Sequence, residues 1–208
     1  MMHDVLYLGS QSASRQQLLT QTGIQFKVLD HGSSECGIEN PHDFSAHVLA
    51  IASDKLRHLK LPNPESVQTD YIFVLTADTL IRTTKSLQIL GKPRDKAHAV
   101  QMLELIAQEP IEIMTGCCLE RMVKTAEGWS AEQFHHWTSS SLAEFCVDAD
   151  RFDFYFEKSP IALYACGACV VEGPGQSFLK NFSGSYSGAM GIPLFELVQG
   201  LKVMDFKL

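Results

Sequence analysis

The run Val5-Leu6-Tyr7-Leu8-Gly9-Ser10-Gln11-Ser12-Ala13-Ser14-Arg15, followed by the apolar pair Leu18-Leu19, writes a strand, a tight turn and a helix start into the opening of the chain. A buried strand that gives way to small hydroxylated residues where a helix begins presents unpaired backbone N–H groups and a positive dipole end to an anion. Arg15 adds a planar fork able to hold two phosphate oxygens at once. The plainer alternative is that Ser10, Ser12 and Ser14 cap the helix and Arg15 is solvated.

The pattern after this opening keeps alternating between strand and helix. A helix over 14–22 is closed by Gly23, and a second strand over 26–29 makes the start βαβ-like. Residues 41–60 carry Phe44, Val48, Ile51, Ala52 and Leu56 at helical spacing, which brings Lys55 to the last turns. The apolar run Tyr71 to Leu75 reads as a strand that stops at Thr76-Ala77-Asp78-Thr79, placing a carboxylate at a strand end. The chain turns back through 87–90 to Gly91-Lys92-Pro93, and Asp95 then caps a helix whose stripe is Val100, Leu103 and Ile106. A strand over 112–119 and a hairpin holding Trp129 and His135-His136-Trp137 follow; adjacent histidines on a strand face opposite ways and cannot share one metal. Residues 148–158 form a short helix or an aromatic edge, 165–171 a strand ending at Glu172, 184–188 a glycine-bracketed loop, and Pro193 opens the last helix. The expectation is an α/β fold with a mixed central sheet flanked by helices.

With 208 residues, 45% apolar and 20% charged, the chain is expected to form a single domain over 1–208, built as one body or as two joined lobes. No apolar run reaches the roughly 18–20 residues of a membrane span, and no basic stretch precedes an apolar one at the start, so a soluble, cytoplasmic protein is expected. Six cysteines in so apolar a chain point to a reduced compartment rather than a disulfide framework. Cys166-Gly167-Ala168-Cys169 fits a C-x-x-C pattern but lacks a second pair at zinc-ligand spacing and sits in an apolar run. A formal charge of −7 disfavours a nucleic-acid polymer as partner. A small anion would have to be held by a few convergent cations or a metal ion.

Ser10, Arg15, Glu35, Lys55, Asp78, Lys92 and Glu172 stand mostly at predicted strand or helix ends. Together they suit cleavage of a phosphoanhydride, which needs cations on the non-bridging oxygens and carboxylates to hold a divalent metal and to orient or deprotonate water. Singly they are weaker: a lysine near a helix end is ordinarily a solvated dipole partner, and Asp78 could simply cap the turn after its strand.

On Leu8 to Leu19, Glu35, Leu49-Ala50-Ile51-Ala52-Ser53-Asp54-Lys55, Ala77-Asp78-Thr79, Gly91-Lys92-Pro93, Thr115-Gly116 and Gly184 to Leu194, the chain resembles the Maf-like nucleotide pyrophosphatases over nearly its whole length. The resemblance implies an elongated, inosine-triphosphatase-like α/β fold, two lobes with a cleft, and metal-dependent hydrolysis of a nucleoside triphosphate to monophosphate and pyrophosphate in a house-cleaning role. It further implies that Asp78 is the proton acceptor, that Glu35 shares the metal with it, that Mg²⁺ or Mn²⁺ is the cation, and that Ser10, Arg15, Lys55 and Lys92 bind phosphate.

Departures from the family pattern bear on substrate. Pyrimidine-selective members place an Arg where this chain has Ser14, a Thr where it has Thr79 and a Gln where it has Glu172; members selective for 7-methylguanosine triphosphate place an aromatic residue, a Gln and a Glu there. Thr79 fits the first group and Glu172 the second. A Glu accepts from a guanine-like N–H edge, whereas Gln both donates and accepts as uracil or thymine requires, which tilts the expectation toward a modified purine with a dTTP- or UTP-like nucleotide as the rival. A nucleotide-binding sensor with weak or lost catalysis is the alternative from another class, motivated by an unusual stretch at 158–172. A thiol redox protein built on Cys166 and Cys169 is a third. A homodimer is expected, and the two tryptophans of the hairpin fit either its contact or core packing.

Overall fold

The computed structural model describes residues 3–32 and 43–207. Strand β1 (Leu6–Leu8) leads into helix α1 (Ala13–Thr22), which ends on Gly23 in the left-handed conformation, and β2 (Phe26–Val28) pairs in parallel with β1. Helix α2 (Phe44–Arg57) starts on Asp43, whose carboxylate accepts from the Ala46 N–H. Strand β3 (Tyr71–Thr83) runs parallel to β1 and carries the short antiparallel β4 (Ile89–Leu90); α3 (Lys96–Ile106) is capped by Asp95 as the sequence predicts. Strands β5 (Ile111–Thr125) and β6 (Gly128–Phe145) follow, then α4 (Phe152–Lys158), β7 (Leu179–Gly184), the single-turn α5 (Tyr186–Ala189) and α6 (Leu194–Val203). The strands form a seven-stranded mixed sheet in the order β2-β1-β3-β5-β6-β7, with β4 on β3.

The chain divides into two compact units. The first takes residues 1–78, 115–138 and 191–208, the second 79–114 and 139–190, so β3, β5 and β6 each pass from one into the other. The first unit buries Tyr7, Leu59, Ile72 and Val74 against Leu56, Val67 and Trp129, and sets Phe206 edge-on to Phe73 with ring centres 4.9 Å apart. The second has its own core of Ile81, Leu90, Leu103, Ile111, Phe145, Tyr155, Phe156 and Phe178. Each therefore removes its own apolar area from water, the main source of folding free energy.

Two expectations change. The strand that begins at Tyr71 does not stop before Asp78 but continues to Thr83, so Asp78 lies inside it. Residues 165–171 are not a strand: Gly167 and Ala168 both take positive φ, and a 3₁₀ turn (Cys166–Ala168) replaces the ladder. An apolar run reports burial, not period, and Ala168, Val170 and Val171 are buried in the second core without being strand residues. Both tryptophans of the hairpin are packed within the first unit. Trp129 donates its indole N–H to the Pro62 carbonyl at 2.7 Å, and Trp137 stacks on His135. The exposed aromatic there is Phe134.

Candidate active site

The first unit gathers four of the predicted residues. Gly9, just past β1, donates its N–H to Leu75 on β3 at 2.8 Å, and a Cβ at that position would lie 2.7 Å from both Leu59 and Thr76. A side chain there would have to displace Leu59 and Thr76. Ser12 occupies the cap position of α1 without a side-chain capping bond. Ser10 instead accepts from the Ser12 N–H and from the Arg15 guanidinium, at 3.3 and 3.0 Å. Arg15 is 8% exposed, and its Nε donates to the Gly191 carbonyl at 3.0 Å. The solvated arginine of the plainer reading is excluded: this one is buried and oriented by a hydroxyl and a backbone oxygen.

The pairing of Lys55 with Asp78 follows from helix and strand periods meeting in register. Thr76 on β3 donates its hydroxyl to the Ala52 carbonyl on α2 at 2.8 Å. Asp78 lies two residues further along the strand, on the same face, and Lys55 lies three residues further along the helix, on the same side. Their side chains meet at 2.6 Å, 10% and 5% exposed. The helix can come this close because of Gly116 on β5, where a Cβ would lie 2.8 Å from the backbone of Leu49. Thr76 was not singled out from the sequence, although a hydroxyl two residues from an acid inside an apolar run is the signal that could have found it.

Glu35 lies outside the described residues. Ser14 is half-buried on α1. The second unit holds the remaining predicted residues: Thr79, half-buried on β3; Lys92, exposed just after β4; and Glu172, half-buried ahead of a 3₁₀ turn (Gly173–Phe178). Among the described residues no three of His, Cys, Asp and Glu converge as a metal cage. A single buried carboxylate is a donor set for a hard cation that shares its shell with substrate phosphates and water, as Mg²⁺ does, rather than for a protein-only site.

The C-x-x-C motif carries no metal or redox signature here. Cys169 is buried and its desolvated thiol is pushed well above the usual range, keeping it protonated and inert. Cys117, also buried on β5, is held protonated for the same reason. The two histidines of the hairpin point apart as expected: His135 packs against Trp137 and Gly200, while His136 lies 3.3 Å from the Glu120 carboxylate.

The sequence profile described as Maf-like protein matches residues 5–204. The chain is 31% identical over 206 residues to a dTTP/UTP pyrophosphatase of Cupriavidus pinatubonensis, covering 94% of each. It is 32% identical to a dTTP/UTP pyrophosphatase of Ralstonia nicotianae, covering 93% of this chain and 91% of the relative. With a dTTP/UTP pyrophosphatase of Bacillus cytotoxicus the identity is 30%, over 95% and 94% of the two chains.

Proposed function

The chain belongs to the Maf-like protein family, and we infer from this that it is a metal-dependent nucleoside triphosphate pyrophosphatase. Water attacks the α-phosphorus, the Pα–O–Pβ bond breaks, and the products are the nucleoside monophosphate and pyrophosphate. The observation that carries the reading is the buried Lys55–Asp78 pair together with the Ser10–Arg15 turn in the same compact unit.

Asp78 receives the proton of the attacking water or orients it, and the Lys55 ammonium at 2.6 Å holds the carboxylate in one position as charge shifts onto the phosphate. Ser10 and the N–H groups at the start of α1 face the phosphates, with Arg15 supplying a positive charge fixed by Ser10 and Gly191. Asp78 and Glu35 would hold the divalent cation, proposed as Mg²⁺ or Mn²⁺, which when bound screens the triphosphate charge and acts as a Lewis acid.

The substrate proposed first is dTTP- or UTP-like, supported by the relatives named above and by Thr79. Glu172 supports a second reading, 7-methylguanosine triphosphate, since a carboxylate accepts from a purine N–H edge; it equally accepts from the N3–H of uracil or thymine. Among the described residues no helix is long and apolar enough to cross a membrane, and a cytoplasmic location is proposed. A homodimer is proposed from the exposed Phe134 and Val203, which border an apolar groove of about 400 Å³ lined also by His135, Gly200 and Met204.

The test is pyrophosphate release with Mg²⁺ or Mn²⁺ on dTTP, UTP, CTP, 7-methyl-GTP and inosine triphosphate, with Asp78→Asn alongside. Turnover on one class, lowered by at least about a thousandfold in the variant with nucleotide binding kept, is the expected result. Binding without turnover in the native protein would make it a sensor instead, and undiminished turnover in the variant would remove Asp78 from the mechanism.

A further inference from the structure

The cysteine motif that neither metal nor redox chemistry explains has a different use in the second unit. Residues 166–172 have no ladder to hold them, yet several of their groups have specific distant partners. The Cys166 thiol donates to the Thr79 carbonyl at 3.1 Å, and the Gly167 N–H donates to the Gly91 carbonyl at 2.9 Å. The Tyr155 hydroxyl donates to the Ala168 carbonyl at 3.0 Å and accepts from the Val170 N–H at 3.1 Å. The Tyr186 hydroxyl donates to the Val171 carbonyl at 2.5 Å. Gly167 takes φ +64°, which allows its N–H and the preceding thiol to reach two different strand segments in succession.

The groups so tied are the residue that follows Asp78, the residue that precedes Lys92 and the residue that precedes Glu172. One short segment thereby sets the spacing of Thr79, Lys92 and Glu172, all within one compact unit. Buried polar networks of this kind specify a single backbone conformation when every member is paired. Burial holds the Tyr155 hydroxyl protonated, so it remains a donor at any working pH.

We propose that Cys166 is a specificity-positioning residue: its thiol fixes Thr79 against the segment that ends in Glu172, and so sets the spacing at which the nucleobase edge is read. This deepens, and rests on, the pyrophosphatase reading. Cys166 neither touches phosphate nor reacts; Cys169, its partner in the motif, serves the core.

The experiment measures kcat and KM for the five nucleotides named above in the native protein, Cys166→Ser, Cys166→Val and Tyr155→Phe, with circular dichroism to verify folding. One neutral hydrogen bond corresponds to a change of about three- to tenfold. Cys166→Val is expected to lower the ratio of kcat/KM between the best and worst nucleotide by that factor, through KM, with kcat on the best nucleotide almost unchanged. Cys166→Ser keeps a donor and should retain the native ratio, and Tyr155→Phe should lower it as Cys166→Val does. An unchanged ratio in Cys166→Val, equal losses in the Ser and Val variants, or a fall in kcat at constant KM would each overturn the proposal. Should Cys166→Val fail to fold, an unchanged ratio in Tyr155→Phe overturns it alone. A native protein silent on every nucleotide defeats the pyrophosphatase reading itself, an outcome separate from an active protein whose ratio does not move.

Discussion

The two units hold their polar residues by different means. In the first, charges are buried: Lys55 pairs with Asp78 at 2.6 Å, and Arg15 donates to Ser10 and Gly191. In the second, Lys92 is exposed, Glu172 is half-buried, and the framework around them is made of neutral hydrogen bonds from Cys166, Gly167, Tyr155 and Tyr186. A charge taken from water demands a partner, so burial constrains residue identity at both ends of the Lys55–Asp78 contact. Neutral backbone bonds constrain shape and leave identity freer, which suits a region that reads a variable base.

The largest effect that could break this contrast is on stability. Lys55→Ala leaves Asp78 buried without its partner and is expected to lower unfolding free energy by about 3–5 kcal/mol in urea titrations, whereas Lys92→Ala should change it by less than about 1 kcal/mol. Equal effects would mean that the two cations are not held differently. Next in size is backbone approach. Gly116→Ala drives a Cβ to 2.8 Å from the Leu49 backbone and should cost about 1–3 kcal/mol, read as a fall in melting temperature. Gly91→Ala in the second unit meets nothing within 4 Å and should change stability by less than about 0.5 kcal/mol.

The smallest expected effect is a pH dependence in the first unit. The Cys118 sulfur first, and the Glu120 carboxylate second, accept hydrogen bonds that raise the His136 pKa from 6.5 to about 9. A folded pKa above the unfolded one gives stability that is fully present below pH 6.5 and is lost as pH rises through 9. His136 is partly exposed, so the loss should stay under about 1 kcal/mol. It should appear as a fall in the urea midpoint between these pH values that His136→Gln does not show. A fall of equal size in the variant would assign the effect to other groups.

Local signals in the chain were enough for the opening strand-turn-helix, the Asp95 cap and the alternation that makes the fold α/β, while they left 148–158 open between the helix it forms and an aromatic edge. They also named Ser10, Arg15, Glu35, Lys55, Asp78, Lys92 and Glu172 as candidates for phosphate chemistry. The elements depend on residues near one another in sequence, where spacing and capping chemistry act directly. Asp78 inside a strand was not legible, because what permits a buried carboxylate there is Lys55, 23 positions earlier and brought close only by the Thr76–Ala52 bond and the gap at Gly116. Nor was the non-strand course of 165–171, since an apolar run has the same composition whether it joins a ladder or is stitched by distant tyrosines. The chain alone determined which residue types are available for phosphate chemistry and the periods on which they lie. Which of them meet, and which thiol became a hydrogen-bond donor rather than a reactive group, was settled only by packing, because burial and long-range pairing set the free energy of every polar group removed from water.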